Sequence, residues 1–208
     1  MRLFLLLVAA VSLPLSAKQV DTARYVNVLV ANENLVQFDE VTLQQGDNQF
    51  VVEFDGRLKK KNKEESISVR PQIIVLSDID PQTDKIEIEL AAKTHKQLGK
   101  LEDDNLPLFN VYKNEQLIDT KQRELPAASG IFPYKDPVAL VKQYNKEQGL
   151  IFDSGNIRSL KEELETIQQQ PGTLATTAET EATLQLKIWY NRANDEERAA
   201  FKKWLSEQ

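Results

Sequence analysis

Along the first half of the chain the apolar residues recur at every second position, and this pattern constrains the fold more than any other. Val26, Val28 and Val30 alternate with Asn27 and Leu29, and Phe50, Val52 and Phe54 alternate with Val51 and Glu53. Ile86, Ile88 and Leu90 alternate most cleanly, with Lys85, Glu87 and Glu89 between them. Such alternation sends one row of side chains into a core and the other into water, which predicts antiparallel strands with one solvated face. Residues 67–76 and 108–112 add two strands, and Lys113-Asn114-Glu115 reads as a hairpin loop leading into residues 116–122. No helix-length apolar periodicity interrupts residues 18–123. A small sandwich is therefore expected, not a parallel βαβ sheet.

The period then changes to about 3.6 residues. Residues 124–137 hold Pro126, Gly130, Pro133 and Pro137 and read as a linker. Asp136-Pro137 supplies an N-cap and a proline suited to the first helical position, Val138, Val141 and Tyr144 share one helical side, and Gly149 ends that helix. Ile157, Leu160, Leu164 and Ile167 form a second stripe, with a capping box at Ser159-Leu160-Lys161-Glu162 and a stop at Gln168 to Gly172. Thr173 to Thr180 is polar and reads as a loop. Leu184, Leu186, Ile188, Trp189 and Tyr190 cover a wide helical face. Asn194-Asp195-Glu196-Glu197 then caps a last helix carrying Ala200, Phe201, Trp204 and Leu205 on one side. Two such faces joined by a short turn predict a helical hairpin. Its aromatics are either a binding surface for a peptide or glycan or core residues that anchor the hairpin to the β domain, and the core reading, the commoner fate of large aromatics, is favoured. The fold class is α+β: residues 18–123 form a β-sandwich-like domain and residues 138–208 a helical region packed on it.

The first 17 residues are expected to be removed. Met1-Arg2 is a short positive segment, Leu3 to Leu13 an apolar run of 11 residues, and Pro14 to Ala17 end in small side chains. That is the pattern of a secretory signal peptide cut after Ala17. The run falls short of the ~20 residues that span a bilayer, and no later segment approaches that length. Loss of Arg2 takes the formal charge from −6 to −7, and loss of Met1 leaves no sulfur.

Composition removes several chemistries. There is no cysteine, so there is no disulfide framework, thiol nucleophile or Cys-ligated zinc site. His95 is the only imidazole. It lies between Lys93 and Lys96 in what reads as a polar connection after a strand, with no acid or nucleophile nearby in sequence. The acidic balance argues against a nucleic-acid binder. Arg57, Lys59, Lys60, Lys61 and Lys63 form a basic patch that would suit phosphate groups. Glu64 and Glu65 follow directly, as expected of a solvated hairpin tip. Asp78, Asp80, Asp84 and Glu89 fall on calcium-loop spacing, but Thr83 stands where the loop needs glycine and Lys85 puts a cation beside the ligands. A turn ending at Pro81 explains the same residues. Glu102-Asp103-Asp104 offers carboxylates without marking a pair, and no glycine-rich phosphate loop or GxSxG elbow occurs. No catalytic, cofactor-binding or metal-ligating residue is predicted, and the chain reads as non-enzymatic.

A family resemblance enters through the C-terminus. Leu186-Lys187-Ile188-Trp189-Tyr190, followed by Ala193, Arg198, Phe201 and Trp204, resembles the closing signature of the YccT-like family of small, signal-bearing periplasmic proteins. Gly46 to Val52 and Ile67 to Val75 around Pro71 resemble the family's strands, whereas the stretch from about Lys93 to Thr173 differs in loop length and composition. The resemblance implies a curli-synthesis-inhibitor-like factor that restrains the polymerisation of a secreted amyloid subunit, and it transfers no catalytic residue. The partner expected is thus a secreted envelope polypeptide, bound through exposed strand edges or through Trp189, Tyr190, Arg198, Phe201 and Trp204. Two other classes stand beside it. One is a glycan or lipopolysaccharide module using the basic tip and the C-terminal aromatics; the other is a hydrolase using paired carboxylates.

Overall fold

The computed structural model describes residues 18–37, 40–153, 156–161, 164–165 and 181–207. The expected signal segment, the helix stop at Gln168 to Gly172 and the polar stretch Thr173 to Thr180 lie outside them.

Two sheets share one core. The first is antiparallel and five-stranded in the order β3-β2-β4-β5-β9. It comprises β2 (Val26–Ala31), β3 (Asn34–Leu35), β4 (Gly46–Lys60), β5 (Lys63–Ile79) and β9 (Lys121–Glu124). The second, in the order β1-β6-β7-β8, comprises β1 (Val20–Thr22), β6 (Ile86–Leu90), β7 (Phe109–Lys113) and β8 (Gln116–Ile118). Val28, Phe50, Val52, Phe54, Ile74 and Leu76 of the first sheet meet Val20, Ile86, Ile88, Phe109 and Val111 of the second in one buried cluster. The predicted alternation is obeyed there, with Glu87 exposed between two buried isoleucines. The hairpin loop at Asn114-Glu115 also forms, both residues taking positive φ (50° and 67°) and Lys113 pairing with Gln116. One neighbour pair departs from the antiparallel expectation, since β1 runs parallel to β6, with Val20 opposite Ile86.

The single solvated face does not hold for the five-stranded sheet. Val30, Val51 and Ile73 point away from the sandwich core and are also buried, against Leu125 and Val141. They are covered by α2 (Pro137–Gln148), which starts as the sequence predicts: Asp136 Oδ1 accepts from Ala139 N at 2.9 Å and Pro137 opens the helix. Gly149 ends it in the left-handed region at φ 65°. Burial of each such Val, Ile or Leu contributes about 1.5–3 kcal/mol, so the outer layer is a second core and not a decoration.

Polar groups fix how α2 sits. Gln49 and Asn145, both buried, exchange two amide hydrogen bonds, Gln49 Nε2 to Asn145 Oδ1 and Asn145 Nδ2 to Gln49 Oε1, each 2.8 Å. Asn145 Nδ2 also donates to Glu33 Oε1 at 2.7 Å. Asn32 accepts from Gln49 N at 2.8 Å and donates to Asn48 Oδ1 at 2.9 Å, and Asn48 donates to Gln44 O at 2.8 Å. A buried amide is tolerated only when its partners are met, so this network admits one docking of the helix on the sheet.

Three more local expectations are corrected. A helix, α1 (His95–Asp103), interrupts the β region: Thr94 caps it by accepting from Gln97 N at 3.2 Å, and Leu98 is buried in the sandwich core. Its nine residues carry too few apolar side chains to register as a periodic run. The strand expected over 116–122 is broken, because the chain leaves the second sheet after Ile118 and joins the first at Lys121. Gln122 secures that crossing, with Oε1 accepting from Leu108 N and Phe109 N at 3.1 Å each and Nε2 donating to Phe109 O at 2.6 Å. Finally, the stripe expected to be helical from Ile157 begins in a strand. β10 (Leu150–Asp153) and β11 (Asn156–Ser159) pair with Ile157 opposite Phe152, and helical backbone starts only at Leu160.

Candidate polypeptide-binding surface

The C-terminal hairpin is built from α3 (Glu181–Arg192) and α4 (Asp195–Ser206). Leu184 and Ile188, four residues apart, point inward and are buried with Leu160. That uses one edge of the wide apolar arc of α3. Leu186, Trp189 and Tyr190 lie on the other edge and stay exposed. The turn forms as predicted: Asn194 Oδ1 accepts from Glu197 N at 2.9 Å and Asn194 N donates to Glu197 Oε2 at 2.8 Å, a complete capping box. Asp195, Glu196 and Glu197 in the first turn favour the helix dipole.

The core reading of the tryptophans is overturned. Trp189 is 59% exposed and Trp204 53%, and α4 buries none of its residues. Its apolar side faces α3 only in part. Tyr190 and Phe201 meet edge to face at 6.2 Å between centroids, and Phe201 and Trp204 lie tilted at 5.7 Å. Arg198 Nε donates to Tyr190 O at 3.1 Å and its guanidinium sits 5.3 Å over the Tyr190 ring. The five residues singled out from the sequence thus do converge. Between them runs an apolar cleft of about 190 Å³ lined by Leu186, Trp189, Tyr190, Ala193, Arg198 and Phe201. That is below the ~300–1,000 Å³ of a typical small-molecule site. It is suited to protruding side chains of a partner, set in an aromatic and arginine surface of the kind that carries binding energy at interfaces.

The other candidates fall elsewhere. Arg57, Lys59, Lys60, Lys61 and Lys63 are exposed at the free end of the β4–β5 hairpin, as expected of a solvated tip. Lys59 stands opposite Glu64, and Lys60 Nζ lies 2.8 Å from Glu65 Oε2, which holds the Glu65 carboxyl below its ordinary range. His95 is the first residue of α1, with Nε2 3.3 Å from Glu65 O. Glu102 lines a groove that also holds Glu124, whose carboxylate is engaged by Arg70 Nη1 at 2.9 Å. Among the described residues no three His, Cys, Asp or Glu side chains gather as a metal-holding group.

Asp84, one of the acids on calcium-loop spacing, is a turn-former. Its carboxylate accepts from Asp80 N at 2.9 Å and from Asn114 Nδ2 at 2.9 Å, with Lys113 Nζ 3.4 Å away. The backbone N–H of Asp80 is the main cause that holds it below the ordinary 3.8, helped by Asn114 and Lys113 against the cost of burial. A carboxylate lowered in the folded state stabilises fully above its ordinary value, and that contribution is lost as the pH falls through the lowered one. Asp84→Asn is therefore expected to cost about 1–2 kcal/mol at neutral pH. The cost should shrink as the pH drops below the ordinary value of 3.8, read as urea midpoints across pH.

No solved structure matches the chain. UPF0319 protein VP1009 of Vibrio parahaemolyticus serotype O3:K6 (strain RIMD 2210633) is 29% identical over 194 residues, covering 90% of this chain and 85% of that protein. UPF0319 protein VV2327 of Vibrio vulnificus (strain YJ016) is 35% identical over 91 residues, and UPF0319 protein VV1_2115 of strain CMCP6 matches equally. In both the match covers 44% of this chain and 42% of the relative, so the chain spans less than half the length of these two. The family model described as "Uncharacterized protein conserved in bacteria (DUF2057)" matches residues 19–204, in accord with the resemblance to an uncharacterised YccT-like family. With the sandwich, the outer helical layer and the hairpin as far as Trp204 inside that match, the chain belongs to the DUF2057 family of uncharacterized proteins conserved in bacteria.

Proposed function

We propose that the protein is a non-enzymatic, periplasmic factor that binds a secreted or amyloid-forming polypeptide and restrains its assembly. The observation that carries this reading is the aromatic hairpin, in which Trp189, Tyr190, Phe201 and Trp204 stand at 39–59% exposure on a framework held by the buried Leu184 and Ile188 of α3. Exposed aromatics in this density cost free energy in water unless a partner covers them, and soluble chains keep such patches for binding. The cleft admits side chains, so a polypeptide suits it better than a free metabolite. The chain's net charge of −6 opposes self-association while the patch is open. The glycan reading has weaker support, because Glu64 and Glu65 oppose the basic tip across the hairpin. Substoichiometric addition of the protein to a purified amyloid-forming envelope subunit should lengthen its lag phase, followed by dye fluorescence. An unchanged lag at equimolar ratio defeats the proposal.

A further inference from the structure

Among the described residues the β9 edge of the five-stranded sheet is unpaired, and it faces a groove. β9 pairs with β5 from Gln72↔Glu124 to Val75↔Lys121, and among the described residues no strand lies on its other side. Leu125 N donates to Pro71 O at 2.8 Å, which sets the alternation of the strand. The backbone groups of residues 121, 123 and 125 point toward β5, and those of Gln122 and Glu124 point away from it. Those outward groups take no backbone partner among the described residues. Outside them runs a groove of about 910 Å³, with Leu101 and Leu106 toward the sandwich and Tyr144 and Arg123 toward α2. Beyond Tyr144 it meets a second hollow of about 280 Å³ beside Leu150, Lys161 and Glu165.

We propose that this edge accepts an extended segment of a partner polypeptide as a sixth strand. The inference rests on the polypeptide-binding reading above and adds the mode and the place. The N–H and C=O groups of the incoming segment pair with those of Gln122 and Glu124, as in recognition by strand addition. A four-residue edge spans about 13 Å, so the paired part is short and the side chains in the groove must supply selectivity. Alternate residues of the segment fall to opposite walls. Those toward the sandwich lie over Leu101 and over Leu106, which is 48% exposed, and are therefore apolar. Those toward α2 meet Arg123 and Lys161, with Glu165 the acid among the described lining residues there, so a hydroxyl or acidic residue is favoured. Lys121, Arg123 and Glu124 make this edge short and charged, and such edges resist indiscriminate pairing with copies of their own chain.

The test uses the full chain and a fluorescent synthetic peptide of about eight residues, valine alternating with glutamate and threonine. Glu124→Pro deletes the N–H that faces the groove and spares the bonds to β5, a site where an edge strand tolerates proline. Glu124→Ala keeps the N–H while removing the contact with Arg70. Peptide affinity, read by anisotropy, should fall by at least about tenfold in Glu124→Pro and by less than about threefold in Glu124→Ala. Hydrogen exchange on the unaltered protein, which needs no variant to fold, should slow at the amides of Gln122 and Glu124 when peptide is added. Equal binding by the two variants, no slowing at these amides, or no binding by the unaltered protein overturns the proposal. Peptide binding lost on Trp189→Ala/Trp204→Ala but kept in Glu124→Pro also overturns it, while leaving the hairpin reading standing.

Discussion

Replacing Trp189 and Trp204 together by alanine is expected to weaken capture of an unfolded envelope polypeptide by about 30-fold, because two aromatic anchors at about 1 kcal/mol each set the loss. The unfolding midpoint should hardly move. Both side chains are more than half exposed and α4 buries nothing, so their removal opens no cavity in either core. The local cost is limited to the ring contact of Trp204 with Phe201 and falls within about 0.5–1.5 kcal/mol. This separation of binding from stability distinguishes a surface role from an anchoring one. A large fall in midpoint with unchanged affinity would reverse the assignment and return the tryptophans to the core. Surface plasmon resonance and urea unfolding on the same preparations decide it.

The second large effect is expected at the opposite extreme, where nothing reaches solvent. Asn145→Leu should destabilise the fold by about 3 kcal/mol, since both ends of the buried Gln49 amide lose their partner at once. The added change Gln49→Leu should recover much of that loss, because an apolar pair removes the need for hydrogen bonds that a half-deleted pair leaves unmet. Additive losses in the double variant, measured by urea unfolding, would show that the two amides do not act as a pair. The affinity for peptide or polypeptide is expected to be unaffected wherever the variants remain folded.

How much of this was legible in the sequence depends on whether the signal was local. The caps at Asp136, Gly149 and Asn194 were readable because the side chain or glycine that makes each cap lies within a few residues of the backbone it serves. The turn at Asn114-Glu115 was readable for the same reason. Alternation identified the strands, but not how many of their faces are covered, and β4 and β5 proved to be buried on both. The five aromatic and arginine residues of the hairpin were found in the sequence, yet their exposure was misjudged. Spacing places Ala200, Phe201, Trp204 and Leu205 on one side of a helix without saying whether anything lies opposite. Exposed strand edges were anticipated and a strand was expected over 116–122, but which edge would be open, that of β9, was not. Its only trace is Pro71, which lacks an N–H and sits at the register shift where β5 leaves β4 briefly and meets Leu125.

The sequence by itself determined the α+β class and the capped ends of α2 and of the last helix, because periodicity and capping are short-range properties of the chain. Only the tertiary structure decided which faces became interior. Docking of α2 through Asn145 turned one side of a sheet into a second core, whereas α4 meets α3 only in part and keeps its aromatics in water. Burial is a relation between residues far apart in sequence, Gln49 and Asn145 among them, and no local pattern encodes it.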